Sequence, residues 1–371
     1  MAKKTQRKNQ HFVPKLLLRR FSVREGRWQG HVFRLARETG QINPAVPRHE
    51  GAETRYYDLP EDVVGDFQPE ELLEQIENGA ARSIARLERH ESLDLGDGVW
   101  LAYFAALQTV RTPQDRAELR YLDEVMATQL HQIRLGAEER AVKAIQELNP
   151  GMSAEDADAE RRQILRDLES GKLQLQSTAA REVAGMFLGL DQAVEVLLER
   201  CDWTLVEFQQ APALVLPDTG YSRYDPSPKV LGSASGFVGS PTVETVIPVN
   251  PHAALAITPG SGRAGWAEGT PEYANDLNLR AYSHSEKCVY GQLSLDLLHV
   301  HRFAAERPEA VRERRRRART LWIAEGRDGE PSTRGVEFVG YSLDGTKHQR
   351  FDIDPRAFED RRPVTAEDLW G

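Results

Sequence analysis

Cysteine is almost absent from this sequence, and several protein classes go with it. Only Cys201 and Cys288 occur in 371 residues. Neither belongs to a CxxC or Cys/His spacing, so a structural zinc site is not expected and a disulfide framework is excluded. Apolar runs are short too: none nears the roughly 18 residues of a membrane-spanning helix, and no membrane partner is expected. The basic amino terminus has no long apolar segment with a cleavage site behind it. That is not a signal peptide, and a cytoplasmic location is the expectation. No P-loop, nucleotide-binding GxGxxG, GxSxG or HExxH is present. Positive charge is in deficit, with a formal net charge of −9. A generic nucleic-acid binder would show the opposite sign.

What the chain does have is length and uneven charge. It can bury one large core or two ordinary ones. Residues 1–20 carry Lys3, Lys4, Arg7, Lys8, Lys15, Arg19 and Arg20 with no acid among them. A second basic block, 312–319, includes Arg314, Arg315 and Arg316. Lys15, Arg19, Arg20 and these three arginines are the candidate nucleic-acid contacts. A solvated tail and a solvated helix face are the plainer reading of the same charge runs.

The pattern along the chain predicts an α+β fold, with a helical layer on a small mixed or antiparallel sheet and a β-hairpin near each end. Residues 1–9 form a basic tail, 10–300 the main domain, and 301–371 an appendage with the arginine-rich helix and a hairpin. Within the main domain, 10–68 hold the opening motif and a hairpin (31–36 with 41–42), and 43–68 read as irregular, with a possible short strand at Arg55–Asp58. Residues 69–200 are the helical layer and 201–300 the sheet and closing helix. Pro69 suits a first helical turn, and Leu72, Leu73, Ile76, Ala80, Ile84 and Leu87 mark an apolar stripe to about His90. Asp97 is expected to cap a helix from Val99 to about Arg111. Thr112-Pro113-Gln114-Asp115 has the form of an N-cap, a first-turn proline and an acid at the third position. Residues 153–170 read as a charged surface helix and 176–200 as another. Strands are predicted at 203–208 and 213–216, paired together, and at 245–249 and 254–257. Helix is predicted from Pro271 to about His301, and a final hairpin turns on Asp344-Gly345.

Four places carry polar residues where apolar ones are expected. His11 sits in Gln10-His11-Phe12-Val13-Pro14, ahead of Lys15-Leu16-Leu17-Leu18-Arg19-Arg20-Phe21. Glu77 lies in register with Leu73, Ala80 and Ile84, where it either snorkels to water or needs a cation. Gln108 and Arg111 fall on an almost wholly apolar helix and must find interior partners, Glu77 being the obvious one for Arg111. Asp218 follows the apolar run 213–216, a usual place for a site carboxylate. The expectation is that all four places converge on one buried site.

Three motif matches near these residues fail. Asp218-Thr219-Gly220 lacks the second copy and the following Ser or Ala of an aspartic protease. Leu216–Gly220 matches a sortase signal without its apolar tail. Arg86-Leu87-Glu88-Arg89-His90 is one residue too short for the Arg–His pairing of certain helical ribonucleases.

The Gln10–Pro14 opening with Leu17-Leu18-Arg19-Arg20-Phe21, then Tyr56-Tyr57, Glu74-Gln75-Ile76-Glu77, Gln108–Pro113, Pro248–Pro251 and Asn278, resembles a bacterial family. It is known as domain of unknown function 4238, with a His-Tyr-Val-Pro signature. Pro217-Asp218-Thr219 departs from the Ser-Asp-Pro segment of that family. The resemblance covers about residues 10–300. It supports the choice of His11, Glu77, Arg111 and Asp218 and implies no chemistry.

Two functions fit these observations. One is a hydrolase, a nuclease or other phosphodiesterase. His11 would be its acid/base, Arg111 would stabilise the phosphorane, and Gln108 would complete the catalytic set. Glu77 and Asp218 would hold a divalent cation, Mg or Mn. The other is a non-catalytic protein binding nucleic acid or protein, whose polar cluster only fixes the fold.

Overall fold

The computed structural model describes residues 9–57, 69–187, 190–225, 242–319, 336–341 and 347–353. The 1–8 part of the basic tail and the Asp344-Gly345 turn lie outside them.

The helical layer follows its sequence signals closely. Pro69 opens a helix over Pro69–Glu88 that buries Leu73, Ile76, Ala80, Ile84 and Leu87, spaced three or four residues apart. Gly79 lets the next helix approach, because a Cβ there would lie 2.3 Å from the Trp100 ring. That next helix is Leu95–Gln108, not 99–111. Asp94, not Asp97, is its N-cap; Asp97 is the third-position partner of a reciprocal capping box. The helix therefore stops at Gln108, and Arg111 lies in the corner beyond it. Thr112 then caps the Pro113–Gly136 helix with Asp115, as its sequence predicts. Helices Glu138–Leu148, Ala154–Glu169, Ala179–Phe187 and Leu190–Arg200 follow. The charged Ala154–Glu169 helix is not wholly superficial: Ala157, Arg161 and Leu168 are buried.

Two larger sheets complete the fold. One is mixed and five-stranded, in the order β10-β5-β9-β8-β7. Its strands are β5 (Cys201–Glu207), β7 (Ser222–Tyr224), β8 (Glu244–Asn250), β9 (Ala253–Pro259) and β10 (Ala264–Glu268). Only the β10–β5 pairing is parallel. The other is antiparallel, in the order β3-β2-β11-β6. It joins the hairpin β2 (Val32–Ala36) and β3 (Ile42–Ala45) to β11 (Cys288–Gly291) and β6 (Leu216–Pro217). A small pair, β1 (Asn9–His11) with β4 (Ala52–Thr54), holds the opening motif. The final hairpin pairs β12 (Val336–Tyr341) with β13 (Lys347–Ile353). The fold is α+β.

Three expectations are corrected. The apolar run 213–216 does not pair with β5, and only its end enters a strand. Asn278 takes the place of a neighbouring strand: its side chain accepts from Val215 N at 2.9 Å and donates to the Ala213 carbonyl at 2.9 Å. Leu214 N finds the Pro251 carbonyl. The backbone is thus satisfied without a ladder. Helix is not continuous from 271 to 301: Pro271–His284 and Ser294–Ala305 are separated by β11. Residues 55–57 form a turn and not a strand.

The main core runs from Val13, Leu17 and Phe21 through the helical layer to β5, β8 and β9. A second cluster gathers Leu35, Val215, Leu279, Val289, Leu297 and Val300, and the Pro308–Arg319 helix packs on it through Ala310 and Val311. Among the described residues, no helix is long and apolar enough to cross a membrane.

Candidate functional site

The opening motif is held by a glycine. Phe12 N and Val13 N both donate to the Gly51 carbonyl, at 2.9 and 3.0 Å. Gly51 has a positive φ of 57°, and a Cβ on it would meet the Val13 side chain at 2.5 Å. Only glycine lets the two segments lie this close. Pro14 then starts the Lys15–Arg20 helix, which Leu17, Leu18 and Phe21 anchor in the core. His11 cannot drift, because its neighbours on both sides are fixed.

Tyr57 reinforces this. Its hydroxyl donates to the His11 carbonyl at 3.1 Å, and its N–H is bonded to the Gln10 side chain. The backbone of Pro47 lies within reach of the His11 ring. The Nε2 atom is buried without a partner. The imidazole pKa is brought down from 6.5 to about 4, chiefly by burial and then by the Lys15 charge. The Pro47 contact opposes this, while Arg111 and Arg19 add to the depression. At neutral pH the ring is therefore an acceptor.

Arg111 occupies the corner between two helix ends. Its carbonyl accepts from the Tyr56 hydroxyl at 2.9 Å, and Thr112 begins the next helix. The side chain is 1% exposed. Nη1 donates to Glu77 at 3.1 Å, so the expected Glu77–Arg111 pair exists. Nε and Nη2, however, are buried with no partner. These two N–H groups form one edge of the guanidinium, the edge that grips a carboxylate or phosphate with two parallel bonds. The Glu77 carboxylate is 23% exposed, so the pair reaches water on that side.

Gln108 is fully buried. Its Nε2 donates to the Phe104 carbonyl at 3.3 Å, which fixes the amide's orientation. Oε1 is left without a donor. A Cβ on Gly220 would lie 2.8 Å from that oxygen and 3.7 Å from Pro14 Cδ. Gly220, with a φ of +76°, thus keeps a gap between Gln108 and the segment that carries His11.

Asp218 goes elsewhere. Its carboxylate accepts from Glu286 N, Lys287 N and Cys288 N at 2.8, 2.7 and 2.9 Å. Burial pushes its pKa up, against the pull of those three N–H groups and of Arg37. This is a staple for the turn into β11. No hydrogen bond or ion pair joins it to His11, Glu77, Gln108 or Arg111. Of the two carboxylates expected to hold a metal, Glu77 accepts from Arg111 and Asp218 from the backbone. Among the described residues, no three His, Cys, Asp or Glu are grouped to hold a metal ion. Replacing Asp218 with Ala should strand three buried donors and cost about 3 kcal/mol or more of stability. Urea denaturation measures this, and a variant as stable as the parent would contradict the staple.

The predicted basic contacts divide in the same way. Arg20 is drawn inward to Glu88 and to the Val249 carbonyl, and Arg314 to Asp276, 2.6 Å away. Arg315 is half-buried, and the Arg316 side chain lies outside the described atoms. Arg19 is exposed and Lys15 half-buried, one helical turn apart beside His11. Tyr57 was marked only by the resemblance and Pro47 not at all, because their parts are set by tertiary contact. The sequence also left unmarked the buried Arg116–Glu182–Arg120 network. Glu182 there takes Arg116 at 2.9 Å and Arg120 at 2.5 Å, and Arg116 stacks 4.4 Å from the Tyr56 ring centre.

The features define an α+β protein in which His11, Arg111 and Gln108 keep buried polar atoms without protein partners. Residues 9–294 match the family described as protein of unknown function DUF4238, and the chain belongs to that family. No curated protein and no solved structure matches the chain.

Proposed function

We propose that this chain is a phosphodiesterase acting on nucleic acid, with His11, Arg111 and Gln108 as its working residues. One observation carries the reading. The other buried charges named above, at Asp218 and Glu182, have each carboxylate oxygen hydrogen-bonded. His11, Arg111 and Gln108 instead keep polar atoms with no protein partner; such atoms also occur singly at Arg34, Ser177, Thr245, Arg280 and Arg314, whereas Arg111 leaves two on one guanidinium edge. A cluster that only fixed the fold would satisfy its own groups, because an unmet buried donor or acceptor is costly. The Arg111 edge, with two unmet donors side by side, is the group best suited to an oxyanion.

The pattern of unmet groups describes that ligand. Arg111 offers a two-pronged donor edge to an oxyanion. Lys15 and Arg19 add positive field around His11, which suits a chain of phosphates more than a lone carboxylate. His11 Nε2 takes the proton of the attacking oxygen as the Arg111 edge holds the phosphoryl oxygens where charge accumulates. Glu77 keeps the guanidinium aligned. No step passes through a metal or through Asp218.

The test is degradation of end-labelled single-stranded RNA and DNA by the full chain with excess chelator. Cleavage of at least one polymer, lost in the His11→Gln and Arg111→Lys variants, is expected. Folded protein that leaves both intact would refute the proposal.

A further inference from the structure

Two adjacent tyrosines after β4 touch both halves of the site. Arg55 takes a left-handed φ of 59°, rare outside glycine, directly after the Ala52–Thr54 strand. The turn brings both side chains that follow into the interior: Tyr56 is 4% exposed and Tyr57 3%. Their rings meet edge to face, with centroids 4.8 Å apart and planes at 79°. Packed in this way, neither ring moves without the other.

A buried phenol needs a partner for its hydroxyl. The hydroxyls of Tyr103, Tyr273 and Tyr290 go to carboxylate side chains. Those of Tyr56 and Tyr57 go to main-chain carbonyls, of Arg111 at 2.9 Å and of His11 at 3.1 Å. Both carbonyls belong to residues whose side chains keep unmet buried atoms. Other contacts fall on the same two segments. The Tyr57 N–H is bonded to the Gln10 side chain, and the Tyr56 ring lies 5.7 Å from that of Phe12. On the far side stands Arg116, one turn into the Pro113–Gly136 helix. Its guanidinium covers the Tyr56 ring at 4.4 Å, donates to the Tyr56 carbonyl at 2.6 Å and is held in turn by Glu182.

We propose that Tyr56 and Tyr57 are positioning residues that act as one unit, fixing the His11 segment relative to the Arg111 corner. This rests on His11 and Arg111 forming the site proposed above. The Glu182 network is then the anchor of that unit, reaching the site through Arg116 and Tyr56. Both hydroxyls address main chain, so neither supplies charge to the site. Removing either oxygen leaves the side chains of His11, Arg111, Glu77, Lys15 and Arg19 chemically unchanged and alters only where the first two stand.

The experiment uses the full chain with Tyr56→Phe, Tyr57→Phe and both together, each checked by a urea melt. The readout is the NMR titration of His11 with and without inorganic phosphate, which tyrosines that only filled the core would not move. In Tyr57→Phe the His11 carbonyl loses its donor and turns to water. The imidazole pKa should then rise from about 4 towards its ordinary 6.5. Phosphate should shift the ring in the parent, and by roughly half as much or less in either variant. The double variant should lose no more of that response than the worse single one, as expected of groups that act together. Folded variants that titrate and respond like the parent would overturn the proposal, and effects that simply add would overturn the single unit. If a variant does not fold, the parent decides. Phosphate should move the side-chain signals of Tyr56 and Tyr57 together, and movement of neither while His11 responds would overturn the proposal. A parent His11 that ignores phosphate would refute the oxyanion reading of Arg111, and the phosphate-free pKa of Tyr57→Phe still tests the positioning. The titrations need no turnover, so intact RNA and DNA would refute the phosphodiesterase reading without touching this one.

Discussion

The Arg111→Lys variant should lose phosphodiester cleavage by about 10²–10³-fold while melting close to the parent. Lysine keeps the positive charge and can still meet Glu77 at the exposed end of the pair. What it lacks is the flat donor edge formed by Nε and Nη2, whose two hydrogens meet no protein atom. The loss should therefore fall on kcat as well as KM, since the edge grips the phosphoryl oxygens most strongly when charge has accumulated on them. Stability is the control. Arg111 is buried, and a collapse of the fold would reduce activity for an uninformative reason. Cleavage rates are accordingly read beside a urea melt. A folded lysine variant within threefold of the parent would show that the edge plays no part.

The His11→Gln variant should lose about 10²–10⁴ in rate, the usual worth of a general base. It should also change how stability depends on pH. The folded imidazole has a pKa of about 4, below its ordinary 6.5. Between those values the unfolded chain binds a proton that the folded chain refuses, so acidification favours unfolding. The contribution of neutral His11 is whole above about pH 6.5 and is lost as pH falls through about 4. A shift of this size is equivalent to about 3 kcal/mol at most. Water at the partly exposed ring reduces it. Glutamine cannot titrate, so the gap between parent and variant should change by about that amount from pH 7 to pH 4. Parallel stability curves over this range would contradict the depressed pKa.

Much of the helical layer is legible in the sequence because its signals are local. Pro69, the Leu73–Leu87 stripe and the Thr112-Pro113-Asp115 box act within one or two helical turns. Asp94 and Asp97 were confused because both halves of that capping box are aspartates. The sheets were harder to read where a side chain replaced a strand. Nothing near 213–216 announces that Asn278, more than sixty residues on, satisfies that backbone. Strand Cys288–Gly291 is too short to show a period between two helices.

The site follows the same division. His11, Glu77, Gln108 and Arg111 stood out as polar residues in apolar settings, and the Glu77–Arg111 pair was readable from that alone. Asp218 stood out equally, but residue type does not say what a carboxylate faces, and its partners are backbone N–H groups of a distant turn. Glu182 was missed for the converse reason: on an amphipathic helix it resembles any solvent-facing acid.

The most direct test of the central claim is an NMR titration of the His11 imidazole, with and without inorganic phosphate. Burial of the ring, with the Lys15, Arg111 and Arg19 charges adding to it, predicts a pKa near 4. Phosphate bound on Arg111 should raise that value, since a neighbouring anion favours the protonated ring, and Arg111→Lys should weaken the response. An imidazole titrating near 6.5 with or without phosphate would contradict the account.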